Sequence, residues 1–279
     1  MSRIERYSGE PRSAAQSDLC QRGGALSTVD VTACRFAGVE VQLVDRGRAV
    51  DVLSERARAR DGVAVHLCNA YTLTLASKDT DYVAALQHRA YNLPDGVPVG
   101  WFGYWQTKLP NPGPVRGPSL MRQMLLQPGL RHFFLGGDDV VLPRLEAAAR
   151  ALNPEVHIVG SLAPPFAALD KDRLAAWGQQ IRDSGADVVW VGLGTPKQDY
   201  AIAHLVDHVD AVLIGVGAAF DFLAGLKREA PERLRGTGFE WVHRLASEPR
   251  RLWRRYLIGN AQFLGFAVRE LRAGADRGA

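Results

Sequence analysis

A glycine-rich turn between an apolar run and a predicted helix is the clearest chemical feature of this sequence. The stretch VVWVGLGTPKQDY, residues 188–200, places Gly192 and Gly194 after β-forming residues and Pro196 at a helix start. Glycine lets a backbone approach a ligand closely, and the free N–H groups of a first helical turn attract anions. The spacing therefore predicts a phosphate-facing loop. It lacks the third glycine of a dinucleotide fingerprint and is not a P-loop, so an ordinary tight turn is the alternative interpretation.

The elements that position this loop alternate along the chain as short apolar runs and helical segments. Apolar runs of this length, bounded by turn residues, predict strands, and the segments between them have the length and periodicity of helices. The alternation predicts an α/β fold with a doubly wound, mainly parallel sheet that helices cover on both faces. Strands are predicted over residues 63–68, 97–103, 132–137, 155–160, 187–194 and 211–217.

Polar and glycine residues follow most of the predicted strands. Ligands of a doubly wound sheet bind beyond the carboxyl ends of its strands, so these residues are candidates for a binding site. Asp95 and Gly96 are instead predicted just before a strand, in a turn-forming dipeptide. The clusters that follow strands comprise Asn69, residues 136–139, residues 194–198, and Gly217 with residues 220–222.

The charge of the chain is unevenly distributed. Its formal net charge is +4, yet residues 227–279 hold 12 Lys and Arg against 6 Asp and Glu. The sequence therefore predicts three regions: a variable or disordered N-terminal segment over 1–35, an α/β body over 36–226, and a basic amphipathic helical appendage over 227–279. A basic appendage indicates an anionic partner, such as a membrane surface, a nucleic acid or a phosphate.

Part of this appendage separates into two faces on a helical wheel that starts at Pro249. A basic face beside an apolar face with Trp and Tyr at its edges favours the surface of an anionic bilayer, where each basic residue contributes about 1 kcal/mol. Packing of the apolar stripe on the body is the alternative, and arginine forks also clamp diphosphates. The apolar stripe disfavours nucleic acid as the partner. The basic face carries Arg250, Arg251, Arg254 and Arg255, with Ile258 as an exception, and the apolar face carries Leu252, Trp253, Tyr256 and Leu257. The sequence does not divide these four arginines and Arg244 between lipid and substrate.

The remaining composition is ordinary for a globular protein and contains no metal-ligand spacing. Apolar residues make up 47% of the chain, and its 3 cysteines lack a ligand or disulfide pattern, which indicates reduced thiols and a cytoplasmic protein. Residues 1–35 contain no apolar core of a signal peptide, and no apolar segment of the sequence has the length of a membrane span. Residues 79–81 spell D-x-D, a metal–diphosphate pattern in other enzymes, but a helix cap is the preferred interpretation. Trp101 and Trp105 are expected in the core, and a platform for an acceptor is the alternative interpretation.

Six blocks of sequence and the C-terminal appendage together resemble one protein family. Their order and spacing are similar to those of the WecG/TagA/CpsF glycosyltransferases (glycosyltransferase family 26), over roughly residues 36–264. The blocks are NAYTLTLA at 69–76, LPDGVPVGW at 93–101, VRGPSLM at 115–121, FFLGG at 133–137, VGLGTPKQD at 191–199, GVGAAFDFLAG at 215–225, and GFEWVHRLASEPRRLWRRYLIGNAQFL at 238–264.

The resemblance implies a Rossmann-like enzyme that transfers a sugar from a UDP-sugar to a polyprenyl-diphosphate-linked saccharide, in the synthesis of surface polysaccharides such as exopolysaccharides or teichoic-acid linkers. The donor sugar is expected to be of the N-acetylmannosamine, glucose or glucuronic-acid type, and no cofactor or bound metal is expected. Peripheral attachment to the inner face of the cell membrane and self-association into a homo-oligomer are also implied. A non-catalytic nucleotide-binding or membrane-surface scaffold protein is the alternative. A nicotinamide-dependent oxidoreductase is disfavoured, because the chain lacks G-x-G-x-x-G with its following acidic residue.

The resemblance assigns roles to individual residues by their place in these motifs. Asp95, in the LPDG block, is expected to be the base that takes the proton of the acceptor hydroxyl. A single base without a paired nucleophile predicts inversion at the anomeric carbon. Asn69 and Gln198 are expected to contact sugar, acceptor or nucleotide. The full set expected to bind substrate is Asn69, Arg116, Gly136, Gly194, Thr195, Gln198, Asp221, Arg244, Arg250, Arg251 and Arg254.

Two positions depart from the pattern of the family. Leu67 stands two residues before Asn69, where the family commonly has Thr, and Pro114 stands three residues before Gly117, where it commonly has Arg. Arg116 is a candidate to take the place of that arginine, although its side chain starts from a different point of the backbone and in a different direction. The departures leave the donor sugar open between a mannosaminyl, another hexosyl and a hexuronosyl group.

Overall fold

The computed structural model of the protein describes residues 32–109, 111–234, 236–253, 257 and 259–277. The predicted N-terminal segment therefore lies outside the described residues up to position 31. A small antiparallel sheet pairs β1 (Ala33–Phe36) with β2 (Val39–Gln42). A larger sheet contains β3 (Val63–Cys68), β4 (Ala90–Pro94), β5 (Arg131–Gly136), β6 (His157–Leu162), β7 (Val188–Gly192) and β8 (Val212–Gly215). The helices are α1 (Arg46–Ala59), α2 (Ala70–Ala76), α3 (Thr80–Gln87), α4 (Val97–Thr107), α5 (Gly117–Leu125), α6 (Val141–Leu152), α7 (Lys171–Ser184), α8 (Lys197–Leu205), α9 (Ala219–Leu223), α10 (Glu240–Ser247), α11 (Pro249–Trp253) and α12 (Gly259–Arg277).

The larger sheet is parallel and has the strand order β4-β3-β8-β7-β5-β6. Alternate side chains of its central strand β7 enter two separate cores, as the two-residue period of a strand requires. Val188 and Trp190 lie in a core that includes residues of α1, α5 and α6. Val189 and Val191 lie in the opposite core, with residues of α7 and α8. The predicted Rossmann-like α/β fold is confirmed.

The predicted strand over 97–103 is wrong, because these residues begin helix α4. The strand is instead Ala90–Pro94, which pairs with β3 so that Leu93 lies opposite Leu67. The run VPVGWFG is apolar at every position. Without alternating polar residues, the hydrophobic periodicity cannot distinguish a strand from a buried helix. Pro98 in the first turn favours the helix. Asp95 therefore follows a strand rather than preceding one, at the same sheet edge as the other candidate residues.

The expectation that Trp101 and Trp105 lie in the core is also wrong. Their exposed fractions are 51% and 44%. Helix α4 buries the opposite face, with Val99 and Phe102 completely inside. The buried face of α4 thus includes Phe102, whereas Trp101 and Trp105 lie on its exposed face.

The hairpin β1–β2 packs against the last helix of the appendage, a contact that no local sequence pattern indicated. The ring of Phe36 lies 4.9 Å from the rings of both Phe102 in α4 and Phe263 in α12. The Glu270 carboxylate of α12 accepts a hydrogen bond from a backbone N–H of the hairpin turn at 3.0 Å. The appendage is thus anchored on the body at this end. Among the helices of the described ranges, none combines the length and apolarity needed to cross a membrane.

The glycine at the end of β5 permits a close backbone approach that no side chain allows. Gly136 has φ +128°, and a Cβ atom built there lies 2.7 Å from the carbonyl carbon of Gly192 in the neighbouring strand. We expect Gly136→Ala to lower the free energy of unfolding by about 3 kcal/mol or more, through backbone strain and overpacking. Urea denaturation measures this loss.

Gly129 provides the matched control for this substitution. It also has positive φ, +76°, but a Cβ atom there meets nothing within 4 Å. Gly129→Ala should therefore cost only the left-handed backbone penalty, about 1–2 kcal/mol. Equal losses in the two variants would mean that the contact with Gly192 has no energetic weight.

Candidate active site

Two adjoining cavities open at the carboxyl ends of β3, β4, β7 and β8. One, the α4 cavity, is also lined by Val97 and Pro98 at the start of that helix and by Trp241 of α10. The other, the glycine-loop cavity, is also lined by the loops after β7 and β8, including Gly194 and Thr195. The two cavities form one cleft, because they share five lining residues: Asn69, Asp95, Arg116, Glu240 and Arg244.

Asp95 occupies the junction of the two cavities, at the end of β4. Its backbone N–H donates to the carbonyl oxygen of Cys68, which extends the pairing of β4 with β3 by one step. Burial and the negative charge of Glu240 raise the pKa of its carboxyl group above the ordinary value. The charge of Arg244, a hydrogen bond from Asn69 and the charge of Arg116 act in the opposite direction and only partly offset that rise. A cleft-facing carboxylate of raised pKa is a stronger general base than an ordinary aspartate.

Asn69 holds this carboxylate from the first turn of α2. Its side-chain oxygen caps the helix by accepting from the backbone N–H groups of Tyr71 and Thr72, at 3.0 and 3.2 Å. The cap fixes the amide so that its NH₂ group points to Asp95, with Nδ2 3.4 Å from Oδ2. Helix capping and orientation of the Asp95 carboxylate are therefore two functions of one side chain.

Gln198 joins the two glycine loops beneath the cleft. It is buried in the first turn of α8, and its Oε1 accepts from the backbone N–H groups of Gly194 at 3.2 Å and Gly217 at 3.1 Å. These two N–H groups consequently point at Gln198 and not at a phosphate, and the phosphate-facing role of the loop stays a prediction. The positive charge in the cleft comes from arginine side chains instead.

A buried polar network fixes the start of α8 and was not anticipated from the sequence. Asp199 accepts a hydrogen bond from the Tyr82 hydroxyl at 2.7 Å, and its other oxygen lies 2.9 Å from Nδ1 of His66. All three side chains are almost completely buried. Burial and the Asp199 carboxylate raise the pKa of Tyr82, so that it stays protonated and donates. The network ties Gln198, the neighbour of Asp199, to β3 and α3.

Arg116 enters the cleft from the start of α5 and is held by two carboxylates. Its guanidinium meets Glu240 in a fork, with Nε 2.8 Å from Oε2 and Nη2 2.5 Å from Oε1. Nη2 also lies 3.5 Å from Glu229, which in turn pairs with Arg122. Burial by itself lowers the pKa of Arg116. The hydrogen bond and charge of Glu240, together with the charge of Glu229, outweigh burial, so the pKa of Arg116 lies above its ordinary value. Sequence reasoning missed both glutamates.

Arg244 brings a second guanidinium into the cleft from the appendage. It projects from α10 and lines both cavities. Its guanidinium carbon lies 5.4 Å from the centre of the Phe222 ring, a cation–π contact that orients the group. The cleft thus combines one carboxylate of raised pKa with two guanidinium groups, one from the body and one from the appendage.

The chain matches a known protein family. A model of the Glycosyl transferase WecG/TagA/CpsF family matches residues 34–277, most of the chain. The chain belongs to the WecG/TagA/CpsF glycosyl transferase family. Membership supports a role as a glycosyltransferase in cell-surface polysaccharide synthesis, with a sugar nucleotide and a lipid-linked acceptor as the general classes of partner. The match spans the appendage, including Glu240 and Arg244.

The two departures from the WecG/TagA/CpsF pattern both face the cleft. Leu67 lines the glycine-loop cavity, and Pro114 lines the α4 cavity. A guanidinium is nevertheless present beside Pro114, because Arg116 lines both cavities. Leu67 is buried and packs against Gly117.

Several residues of the predicted substrate set lie elsewhere. Gly136 and Asp221 are absent from the linings of both cavities, and Asp221 forms an ion pair with Lys227 at 2.6 Å. Arg250 lies exposed on α11, also outside the two linings. The side chain of Arg251, and Arg254 as a whole, lie outside the described residues, as do Arg255 and Tyr256. Their assignment to substrate or lipid stays a prediction.

The D-x-D motif is a helix cap, as expected. Asp79 precedes α3, and its Oδ1 accepts from the backbone N–H groups of Asp81 and Tyr82 at 3.0 and 3.1 Å. Asp138 acts similarly before α6, accepting from two N–H groups of its first turn. These aspartates therefore have structural partners that account for their positions.

Proposed function

We propose that this member of the WecG/TagA/CpsF family transfers a sugar from a UDP-sugar to a polyprenyl-diphosphate-linked saccharide, with Asp95 as general base. The observation that carries the proposal is the position of Asp95 where the two cavities meet, beside Arg116 and Arg244. A transferase needs a base at the point where two substrates touch and positive charge near the departing phosphate. The cleft supplies both within one lining.

The reaction is a single displacement. As the acceptor hydroxyl oxygen bonds to the anomeric carbon, its proton passes to an oxygen of Asp95. The bond from the anomeric carbon to the phosphate oxygen breaks, and its electron pair leaves with UDP. In this step Asp95 acts as a base and not as a nucleophile, so no bond forms between the sugar and the protein. The product should therefore have inverted configuration, which NMR of its anomeric proton tests.

The two cavities suit the two substrates. The glycine-loop cavity lies where a doubly wound fold binds nucleotides, and the missing side chains of Gly194 and Gly217 leave room for one. Arg116 and Arg244, at its border with the α4 cavity, are placed to neutralise a diphosphate, since arginine forks bind phosphate in two-point contacts. The α4 cavity, lined by Val97 and Trp241, is assigned to the acceptor sugar.

The appendage is proposed to hold the enzyme on an anionic membrane, at the inner face of the cell membrane. Arg250 is exposed on α11, and Leu257, Leu264 and Val268 are at least 43% exposed although apolar. Basic and apolar side chains together favour a lipid surface over a purely aqueous one. Co-sedimentation with anionic against neutral vesicles tests this attachment. Self-association into a homo-oligomer stays a prediction.

The experiment that tests the function is UDP release from a panel of donors. UDP-linked N-acetylmannosamine, glucose and glucuronic acid are each incubated with the protein, with and without a short-chain polyprenyl-diphosphate sugar. We expect acceptor-dependent release from one donor. Binding of UDP by calorimetry without release from any donor would favour the non-catalytic nucleotide-binding protein, and absence of both would contradict the proposal.

A further inference from the structure

The ion cluster around Arg116 contains a carboxylate in a position suited to a phosphate. Glu240 contacts Arg116 through both of its oxygens, at 2.8 and 2.5 Å, which is the two-point geometry that a phosphate group adopts on the same fork. The contact joins the body to the appendage, and both of its residues line both cavities. The Arg116 fork that faces the cleft is therefore occupied by the protein itself.

The burial of the two partners differs in a way that favours exchange. The Arg116 side chain is 10% exposed, and a buried guanidinium needs an anion beside it at all times. The Glu240 side chain is 25% exposed, so its carboxylate can turn into water without becoming a buried unpaired charge. Arg116 is the fixed member of the pair, and Glu240 is the member that can leave.

The charge balance of the cluster points the same way. Arg116 and Arg122 are matched by Glu229 and Glu240, so the four side chains have no net charge. Glu229 is 5% exposed and remains with Arg122 when Glu240 leaves. One positive charge then remains for an incoming anion. A phosphate that entered without this departure would add to an already neutral cluster and approach two carboxylates.

We propose that Glu240 is a built-in competitor for the sugar donor, which a phosphate group of the bound donor displaces from Arg116. This inference rests on the proposed function for the identity of the donor. It assigns Glu240 to substrate binding rather than to a permanent scaffold of Arg116, and the two roles have opposite consequences. Removal of a competitor tightens binding, whereas removal of a scaffold weakens it.

Calorimetric titration of wild-type protein and Glu240→Gln with UDP, and separately with inorganic diphosphate, distinguishes the two roles. Glutamine keeps the size of the side chain and one acceptor for Arg116, but loses the charge. We expect Glu240→Gln to bind both probes about fivefold more tightly, because the ion pair between Arg116 and Glu240 no longer has to break. Glu55→Gln removes the same charge from an exposed site on α1 and should change neither affinity.

A second substitution separates competition from simple charge repulsion. In an Arg116→Gln background there is no guanidinium to compete for, so Glu240→Gln should no longer tighten binding. An equal gain in both backgrounds, or weaker or unchanged binding of diphosphate by Glu240→Gln alone, would overturn the inference. If UDP fails to bind wild type while diphosphate binds in a Glu240-sensitive way, the nucleotide donor is wrong but the competition stands. If neither probe binds wild type or Glu240→Gln, both proposals fail.

Discussion

The Asp95→Asn variant should lose sugar transfer by about 10²–10⁴-fold in kcat while still binding UDP. The amide keeps the shape of the side chain and can keep a hydrogen bond with Asn69, but it cannot take a proton. The UDP affinity should stay close to that of wild type, because the phosphate contacts are assigned to Arg116 and Arg244. Rates of UDP release with acceptor present, together with calorimetric UDP affinity, measure the two effects.

The same substitution should not destabilise the protein at neutral pH. The pKa of Asp95 is raised in the folded state, chiefly by burial and then by Glu240, so the folded state holds its proton more tightly than the unfolded chain. Stability from this group is therefore full below the unfolded pKa of about 3.9 and is lost as the pH rises through the folded pKa. Asparagine carries no charge to bury, so the loss of stability that the ionised Asp95 causes at neutral pH is absent from the variant. The Tm of Asp95→Asn at pH 7 should therefore equal or exceed that of wild type.

Asp139→Asn is the matched control for this prediction. Asp139 is an exposed aspartate that also follows a strand, and it lines neither cavity of the cleft. Its amide variant should keep wild-type transfer. Wild-type rates in Asp95→Asn would remove Asp95 as the base, and a marked fall in its Tm would assign the residue a mainly structural role.

The Arg244→Gln variant should lose about 10²-fold in kcat/KM for the donor. Negative charge develops on the leaving diphosphate as the bond to the anomeric carbon breaks, and a fixed guanidinium in the cleft stabilises that charge. Arg244 has its orientation set by the ring of Phe222 and lies beside Asp95, whose pKa its charge lowers. The loss should appear in kcat as well as in KM, which steady-state kinetics over a range of donor concentrations separates.

Arg272→Gln removes an equal charge from the same appendage. Arg272 lies exposed on α12, outside the linings of both cavities, and its variant should keep wild-type kcat/KM. Equal losses in the two variants would mean that the net charge of the appendage matters rather than the position of Arg244. Unchanged kinetics in Arg244→Gln would place the phosphate contacts elsewhere in the cleft.

Most of the sheet could be predicted from the sequence. The strands of a parallel sheet that is covered on both faces are buried on both sides, so they are recognisable in the sequence as continuous apolar runs such as VVWVG. β4 could not, since its sequence AYNLP is short and contains the polar residue Asn92, whose amide donates to the backbone carbonyl oxygens of Glu40 and Leu86. The more apolar run VPVGWFG was predicted as the strand instead. The hairpin β1–β2 was missed for a related reason: its two strands have 4 residues each and gain their stability from contacts with α4 and α12.

The site was only partly accessible from the sequence. Asn69 and Gln198 could be found because each follows a strand, and Asp95 because it lies in a recognised block. Glu240 could not be found in this way, since its partner Arg116 is 124 positions away in sequence and the appendage around it is basic overall. The pairing of His66 with Asp199 is similarly long-range, and a single histidine in an apolar strand carries no local sign of a partner.

The most direct test of sugar transfer is the mass of the acceptor after reaction. A polyprenyl-diphosphate-linked sugar is incubated with the donor that supports UDP release, and the glycosylated acceptor and UDP are quantified for wild type and Asp95→Asn. Wild type should add one sugar residue to the acceptor for each UDP released, and Asp95→Asn should form almost no product. UDP release that yields free sugar and unmodified acceptor, or equal product from both proteins, would contradict the account.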